Sequence, residues 1–229
     1  KKGEKVNMRK SVCNLLVLLL VLSLSVTVST KEYNPADSFS TTEPFVLFDY
    51  DARTPMSSVN GLSGIFDFDP NDAEAYCRTG YVRDEGLHKD GYHMKVSYDV
   101  DSVKPAFNGW WTKLNGINLS DFEAVALTIK GDSEKGFSDI FKIELKDRTT
   151  KVEYIVEDIT DKWQQIIVPF DEFEGALDSM DWSTMNEFVI VFEDWRLKTK
   201  EGRYYIDDIS FVPKKGAKVK FSDLTEKKK

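Results

Sequence analysis

Apolar and polar residues alternate with a period of two through the middle of the chain. Met94, Val96, Tyr98 and Val100 alternate with Lys95, Ser97 and Asp99. Phe141, Ile143 and Leu145 alternate with Lys142, Glu144 and Lys146. Val125, Leu127 and Ile129 alternate with smaller or polar neighbours, and Val152, Tyr154 and Val156 face away from Lys151 and Glu153. Ile166 and Val168 precede Pro169, and Phe188, Ile190 and Phe192 lie between Glu187 and Glu193. This period sends successive side chains to opposite faces of a strand. Turn signals separate the runs at Gly131-Asp132, Asp147-Arg148, Asp161-Lys162 and Glu201-Gly202. No helix longer than a turn or two is predicted, and the nearest candidate lies at 171–186. Short strands at this spacing predict an all-β fold, an antiparallel β-sandwich or jelly roll. There is no internal repeat.

The two ends break the pattern. Residues 1–30 carry Lys1, Lys2, Lys5, Arg9 and Lys10 against Glu4, then an apolar run from Leu15 to Leu22, with no charge before Lys31. A basic start followed by a short apolar run predicts a signal peptide. An uncleaved N-terminal anchor is the alternative, though the run falls short of the roughly 20 apolar residues a spanning helix needs. Residues 31–44, with Asn34-Pro35 and polar Ser38 to Thr42, read as a linker. Residues 45–213 form the predicted sandwich. Residues 214–229 read as a basic flexible tail, with seven lysines against Asp223 and Glu226. The expected localisation is secreted, periplasmic or cell surface, with membrane contact only through an uncleaved N-terminal segment.

Composition sharpens this reading. The 229 residues include 15 Phe, 9 Tyr and 5 Trp, which suits a β-rich core or a stacking surface. The cysteines, Cys13 and Cys77, are too few for a disulfide scaffold or a thiolate cluster. The histidines, His88 and His93, are too few for a His-rich metal site and read as surface residues. The net charge of −8 combines +4 on residues 1–30, +5 on residues 214–229 and −17 on residues 31–213. So acidic a body repels nucleic acid and anionic lipid and favours neutral ligands or cations.

Four stretches carry a family resemblance. The first runs from Trp110-Trp111-Thr112-Lys113-Leu114 through Ile117-Asn118-Leu119-Ser120-Asp121-Phe122 to Val125–Asp132. Phe141–Asp147 follows, then Trp163-Gln164-Gln165-Ile166-Ile167-Val168-Pro169-Phe170 with Phe173 after it. Tyr205-Ile206-Asp207-Asp208-Ile209-Ser210-Phe211 closes the series. Over residues 45–213 this succession resembles the galactose-binding-like jelly rolls. It is most similar to family 11 carbohydrate-binding modules and to the complex I intermediate-associated protein 30 family. The resemblance implies a β-sandwich that binds polysaccharide, β-glucan among the candidates. It further implies association with glycan-degrading enzymes and a structural calcium ion. The second branch implies an assembly role on the same fold, so function stays open at this level.

Sugar rings offer apolar faces for aromatic stacking and hydroxyls for polar side chains. The carbohydrate-binding candidates are Trp110, Trp111, Tyr98, Glu153, Tyr154, Gln165 and Trp195. Adjacent Trp110 and Trp111 point to opposite faces of a strand, one inward and one outward. Tyr98 and Tyr154 share parity with apolar residues and so also fit the core. Glu153 and Gln165 lie on outward parity, as do Lys142 and Glu144, which read as solvated. Trp195 follows a strand in Glu193-Asp194-Trp195-Arg196, where an exposed Trp signals binding or packing. Tyr76, Tyr81 and Tyr92 read as loop residues. For metal, Asp49 and Asp207 share parity with inward apolar residues, and buried carboxylates need compensation. A calcium ion meets that need through oxygen ligands, with carbonyls of the 57–64 loop completing the shell, and ordinary hydrogen bonding at a sheet edge is the other reading. Asp67, Asp69, Asn71 and Asp72 resemble the start of an EF-hand loop, but Asp72 and Arg78 stand where that loop requires Gly and Glu.

No G-x-S-x-G or H-E-x-x-H motif is present, and Cys77 has no motif around it. The expectation is a non-catalytic module. An assembly protein on the same fold is the alternative. A glycoside hydrolase component is the third reading, requiring two carboxyl groups about 5–10 Å apart in a cleft.

Overall fold

The structure is a computed structural model describing residues 43–83, 91–217 and 219. The predicted signal peptide, nearly all of the 31–44 linker, most of the basic tail and His88 lie outside these residues. Among the described residues the fold has twelve strands. In chain order they are β1 Phe45–Phe48, β2 Ser63–Asp67, β3 Tyr76–Arg83, β4 Tyr92–Asp99, β5 Phe107–Ile117 and β6 Phe122–Gly131. β7 Phe141–Lys146, β8 Lys151–Val156, β9 Gln164–Pro169, β10 Glu174–Gly175, β11 Met185–Glu193 and β12 Glu201–Pro213 follow.

Two antiparallel sheets pack as a sandwich. One has the order β3-β4-β12-β6-β9, with β1 also paired to β12; the other has the order β10-β8-β7-β11-β5-β2. The alternating apolar residues meet between them. Val96, Tyr98, Leu127, Ile129 and Ile206 come from the first sheet, and Leu114, Ile143, Leu145, Phe188 and Phe192 from the second, all essentially without solvent exposure. Burying such side chains contributes about 1.5–3 kcal/mol each. Among the described residues no helix is long and apolar enough to cross a membrane.

Several local expectations change in three dimensions. The 171–186 segment, as expected, has no helix beyond the short 3-10 turns at Phe170–Glu172 and Leu177–Ser179, but it also contains β10 and the start of β11. Glu201-Gly202 is not a turn but the start of β12, where Gly202 pairs with Tyr98. A Cβ at Gly202 would lie 2.7 Å from the Tyr98 hydroxyl and 2.8 Å from the Gly136 carbonyl. Glycine is therefore there for close packing rather than for a turn. Tyr76, Tyr81 and Tyr92 lie in β3 and β4, not in loops. Their surrounding charges and glycines obscured an edge hairpin whose residues pair from Tyr76↔Asp99 to Arg83↔Tyr92. His93 is buried, not at the surface, with its ring edge-on to Trp163 and Tyr205. Cys77 is a buried free thiol, and burial pushes its pKa up, so it is inert packing.

Strand β12 changes partner partway along. It pairs with β4 as far as Ile206↔Met94 and with β1 from Ile209↔Phe48, and a register shift between Asp207 and Ser210 separates the two stretches. The shift reverses which residues face inward, from Tyr204 and Ile206 before it to Ile209 and Phe211 after it. Asp207, at the shift itself, is buried, as its sequence parity with Ile209 and Phe211 predicts.

The Trp pair divides across β5. Trp110 is buried, edge-on to Phe48 and Phe188. Trp111 is half-buried on the outer face. Trp110→Ala is expected to cost about 3–5 kcal/mol of stability, and Trp111→Ala markedly less. Chemical denaturation of the two variants checks this; equal losses would contradict the division.

Candidate functional site

The outer face of the β10-β8-β7-β11-β5-β2 sheet holds a groove of about 420 Å³. Its floor comes from the polar frame of β7 and the outward residues of β11: Lys142, Glu144, Lys146, Val189, Val191 and Glu193. Phe66, Phe107 and Trp195 line it as well, with Lys151 of β8. Strand alternation places them there, since Phe141, Ile143 and Leu145 of the same strand occupy the core.

The charges on this face form one connected lattice. Lys142 contacts Glu193 at 2.5 Å, Glu144 at 3.1 Å and Glu153 at 3.5 Å. Glu144 also meets Lys146 at 3.1 Å and Lys151 at 2.9 Å. Glu187 accepts from Lys146 at 3.1 Å and from Lys113. Arg196 closes the end by donating to Glu193 at 2.8 Å. Lys142 and Glu144, expected to be solvated, are buried instead, because neighbouring strands bring opposite charges to each of them. Burial pushes the Lys142 ammonium down, but its bond to Glu193 and the charge of Glu144 outweigh this and hold it above the ordinary lysine value. Burial raises Glu144 and Glu153, yet the hydrogen bond from Lys151 and the surrounding ammonium groups hold both below the ordinary glutamate value of 4.5. A general acid for glycoside cleavage needs the opposite, a raised carboxyl pKa.

Trp195 stands at one end of the groove and is 60% exposed. Its loop is nevertheless tightly held. The Asp194 N–H donates to the Ala106 carbonyl at 3.0 Å, and the Asp194 carboxylate accepts from the Ala106 N–H at 3.1 Å. The Arg196 and Leu197 N–H groups both donate to the Glu193 carbonyl at 3.0 Å. The Phe107 ring meets Trp195 edge-on at 6.2 Å and continues to Phe68 at 4.6 Å. Phe66 lies over Gly109, where a Cβ would sit 2.9 Å from its ring and 2.0 Å from the Ile190 carbonyl. Glycine there lets the aromatic wall lie flat on β5.

The sequence-predicted residues distribute unevenly around this groove. Glu153 and Trp111 lie on its face, and Trp195 lines it. The Trp111 ring lies across Gly64, and the Lys113 ammonium stands 5.2 Å from its centroid, so a cation of the chain itself engages that ring. Trp110 and Tyr98 are core residues rather than ligand contacts, because both are buried. The Tyr98 hydroxyl accepts from the Ser138 N–H at 2.9 Å and donates to the Thr199 carbonyl at 3.1 Å. Tyr154 is half-buried against Phe173 at 5.8 Å, away from the groove lining. Gln165 lies on the other sheet, opposite Thr128 of β6, and the structure does not bring it to the groove. Phe66 and Phe107 were missed by sequence reasoning. Their signal was weak, since β2 is an edge strand without clear alternation.

The acidic candidates also have definite places. Asp67 accepts from the Cys77 N–H at 2.7 Å, Asp69 from the Asn71 N–H at 3.0 Å, and Asp72 from the Ser102 hydroxyl at 2.6 Å. This segment is a hydrogen-bonded turn. Asp49 is exposed just after β1, whereas Asp207 is buried and accepts from the Asp208 N–H at 2.9 Å. The Phe48↔Ile209 register brings their strands together. The 57–64 loop lies against β1, with the Ser58 N–H on the Leu47 carbonyl at 3.0 Å. Among the described residues no group of three or more His, Cys, Asp or Glu could hold a metal ion. An ion there would draw on these two carboxylates and on neutral oxygens. One neutral oxygen nearby is the buried Tyr50 hydroxyl, which has no hydrogen-bond partner among the described residues.

Comparison with known proteins adds the family. The family model Carbohydrate binding domain 30 matches residues 68–213. Among solved structures, the fold is similar to a family 11 carbohydrate-binding module of cellulosomal cellulase Lic26A-Cel5E of Clostridium thermocellum. That match has a TM-score of 0.56 and 18% identity, covering 76% of this chain and 97% of the other. A family 11 module of the same organism, in complex with a β-1,3-1,4-mixed-linked tetrasaccharide, has a TM-score of 0.51 and 18% identity, covering 66% and 88%. An exo-β-agarase structure has a TM-score of 0.56 and 10% identity, covering 74% of this chain and 25% of that one. Comparison with curated proteins gives no match.

The lattice predicts an acid limit to stability. A carboxylate whose folded pKa is depressed stabilises the fold above its ordinary value, and that contribution is lost as pH falls through the folded value. Melting temperature is expected to drop as pH falls from about 4.5 downward. Glu144→Gln is expected to flatten that limb and to cost about 3 kcal/mol at neutral pH, since it leaves buried ammonium groups short of a partner. Calorimetry across the acid range checks this; an unchanged acid limb in the variant would contradict it.

Proposed function

Because this chain belongs to the Carbohydrate binding domain 30 family, a family of non-catalytic carbohydrate-binding modules, we propose that the groove beside Trp195 is its polysaccharide-binding site. The observation that carries this reading is an indole left exposed on a loop held by three backbone–backbone hydrogen bonds and one to the Asp194 carboxylate. An exposed Trp is costly unless it meets a partner, and a fixed ring loses little entropy on stacking against a sugar. Phe107 and Phe66 extend the apolar wall, and Glu153 and the lattice lysines supply hydrogen bonds to hydroxyls. The mixed-linked tetrasaccharide bound by the family 11 neighbour makes a soluble β-glucan the first ligand to test. We place the protein outside the cytoplasm, at the cell surface or secreted, acting beside glycan-degrading enzymes.

The test is a binding screen of the chain against soluble β-glucans, xylans and mannans, repeated with Trp195→Ala. The variant is expected to fold normally and to lose at least about tenfold in affinity, the loss of one good stacking contact. Unchanged binding in Trp195→Ala would move the site elsewhere, with Gln165 on the opposite sheet the next place to probe.

We further propose a structural calcium ion held by Asp49 and Asp207. The support is the burial of Asp207 where β12 changes partner, next to the strand that Asp49 follows. A ligand that binds only the folded state stabilises it by about 2.7 kcal/mol at a hundredfold excess over its dissociation constant. Chelation is expected to lower the melting temperature, and Asp207→Asn to remove that sensitivity. A wild-type melting curve unmoved by chelator and by added calcium would reject the ion.

A further inference from the structure

The groove and the sheet face around it present cations upward and keep most carboxylates beneath. The side chains of Lys113, Lys146, Lys151 and Arg196 are 40, 31, 45 and 30% exposed. Those of Glu144 and Glu193 are each 7% exposed, and that of Glu187 is 16%. Only Glu153, at 32%, reaches the surface to a similar degree.

Donor capacity follows the same layering. An ammonium has three N–H donors. Lys113 spends one on Glu187. Lys146 spends two, on Glu144 and Glu187, and Lys151 spends two, on Glu144 and Glu153. Each of the three keeps at least one donor, and Lys146 and Lys151, which line the groove, can offer theirs to an occupant. Lys142 is different: it is buried and meets three carboxylates, so it holds the layer together and offers nothing outward.

Resting on the glycan-binding reading above, we propose that the groove prefers sugars carrying anionic oxygens, uronic carboxylates in particular, over their neutral counterparts. A hydroxyl accepts from these ammonium groups only as a dipole, whereas a carboxylate brings a full opposite charge to the same bonds. The acidic balance of the chain acts at longer range. Salt screens it over about 8–10 Å, whereas a ligand in the groove contacts the ammonium layer directly. The local layer, rather than the net charge, then sets the preference.

The test compares three probes on the same protein: mixed-linkage β-glucan oligomers, oligogalacturonates and sulfated galactan oligomers. At low salt the oligogalacturonates are expected to bind about tenfold more tightly than the neutral oligomers, the gain of one ammonium–carboxylate pair. That advantage should shrink as salt rises. Lys151→Gln is expected to cut the acidic-to-neutral affinity ratio several-fold, and Lys151→Arg, which keeps the charge, to preserve it. Tight binding of the sulfated oligomers alone would reject the uronate preference in favour of sulfate. Neutral binding equal to or tighter than both acidic arms would overturn the proposal while leaving the glycan site intact. No binding in any arm would remove the glycan reading itself.

Discussion

A buried ammonium must be paired, and Lys142 meets that demand by drawing carboxylates from three strands. Glu144 shares its strand, Glu153 lies on β8 and Glu193 ends β11. The position of each strand in the sheet is thereby tied to a charge contact as well as to backbone hydrogen bonds. Removing one carboxylate strands a positive charge in a poorly solvated place, which is why such a lattice tolerates little change. It also fixes the chemistry of the groove. The carboxylates are committed to ion pairs, so they act as a rigid polar floor and not as proton donors.

The aromatic end of the groove depends on the same lattice. Glu193 joins Lys142 to Arg196, and its backbone carbonyl receives the two N–H groups that turn the chain at Trp195. The exposed indole is thus braced from the floor on one side and from Ala106 and Phe107 on the other. Close backbone approaches let the sheet carry this load. Gly109 leaves room for Phe66 on β5, and Gly202 lets β12 pass close to the Tyr98 hydroxyl. A methyl group at either place would meet a backbone carbonyl or a buried hydroxyl at well under contact distance.

Much of the fold was legible in the chain. The alternation of Phe141, Ile143 and Leu145 with Lys142, Glu144 and Lys146 marks a strand with one apolar and one charged face. Similar runs recur often enough to require two sheets closed on a shared core. Position along a strand was less legible. The shift between Val46 and Phe48 inverts the frame of β1, and alternation read straight through it assigns the exposed Asp49 to the inward set. Edge strands were weaker still: β2 and β3 bury little, so the core imposes no strict period-two patterning there, and Tyr76 and Tyr81 resemble loop residues.

The sequence by itself determined that this protein is an antiparallel β-sandwich, which residues of each strong strand face the core, and that charged side chains cover the other face. These follow from local alternation, because a strand turns each side chain by a fixed half-turn whatever its neighbours are. Only the tertiary structure decided what those charged residues do. Lys142 and Glu193 are 51 positions apart in the chain, and nothing local says that β7 and β11 are neighbours. The strand order places them side by side, separates Gln165 onto the opposite sheet, buries Tyr98 and Trp110, and leaves Trp195 exposed at the end of a groove. Burial and pairing depend on which strands meet, and that is a property of the packed sheets rather than of any segment alone.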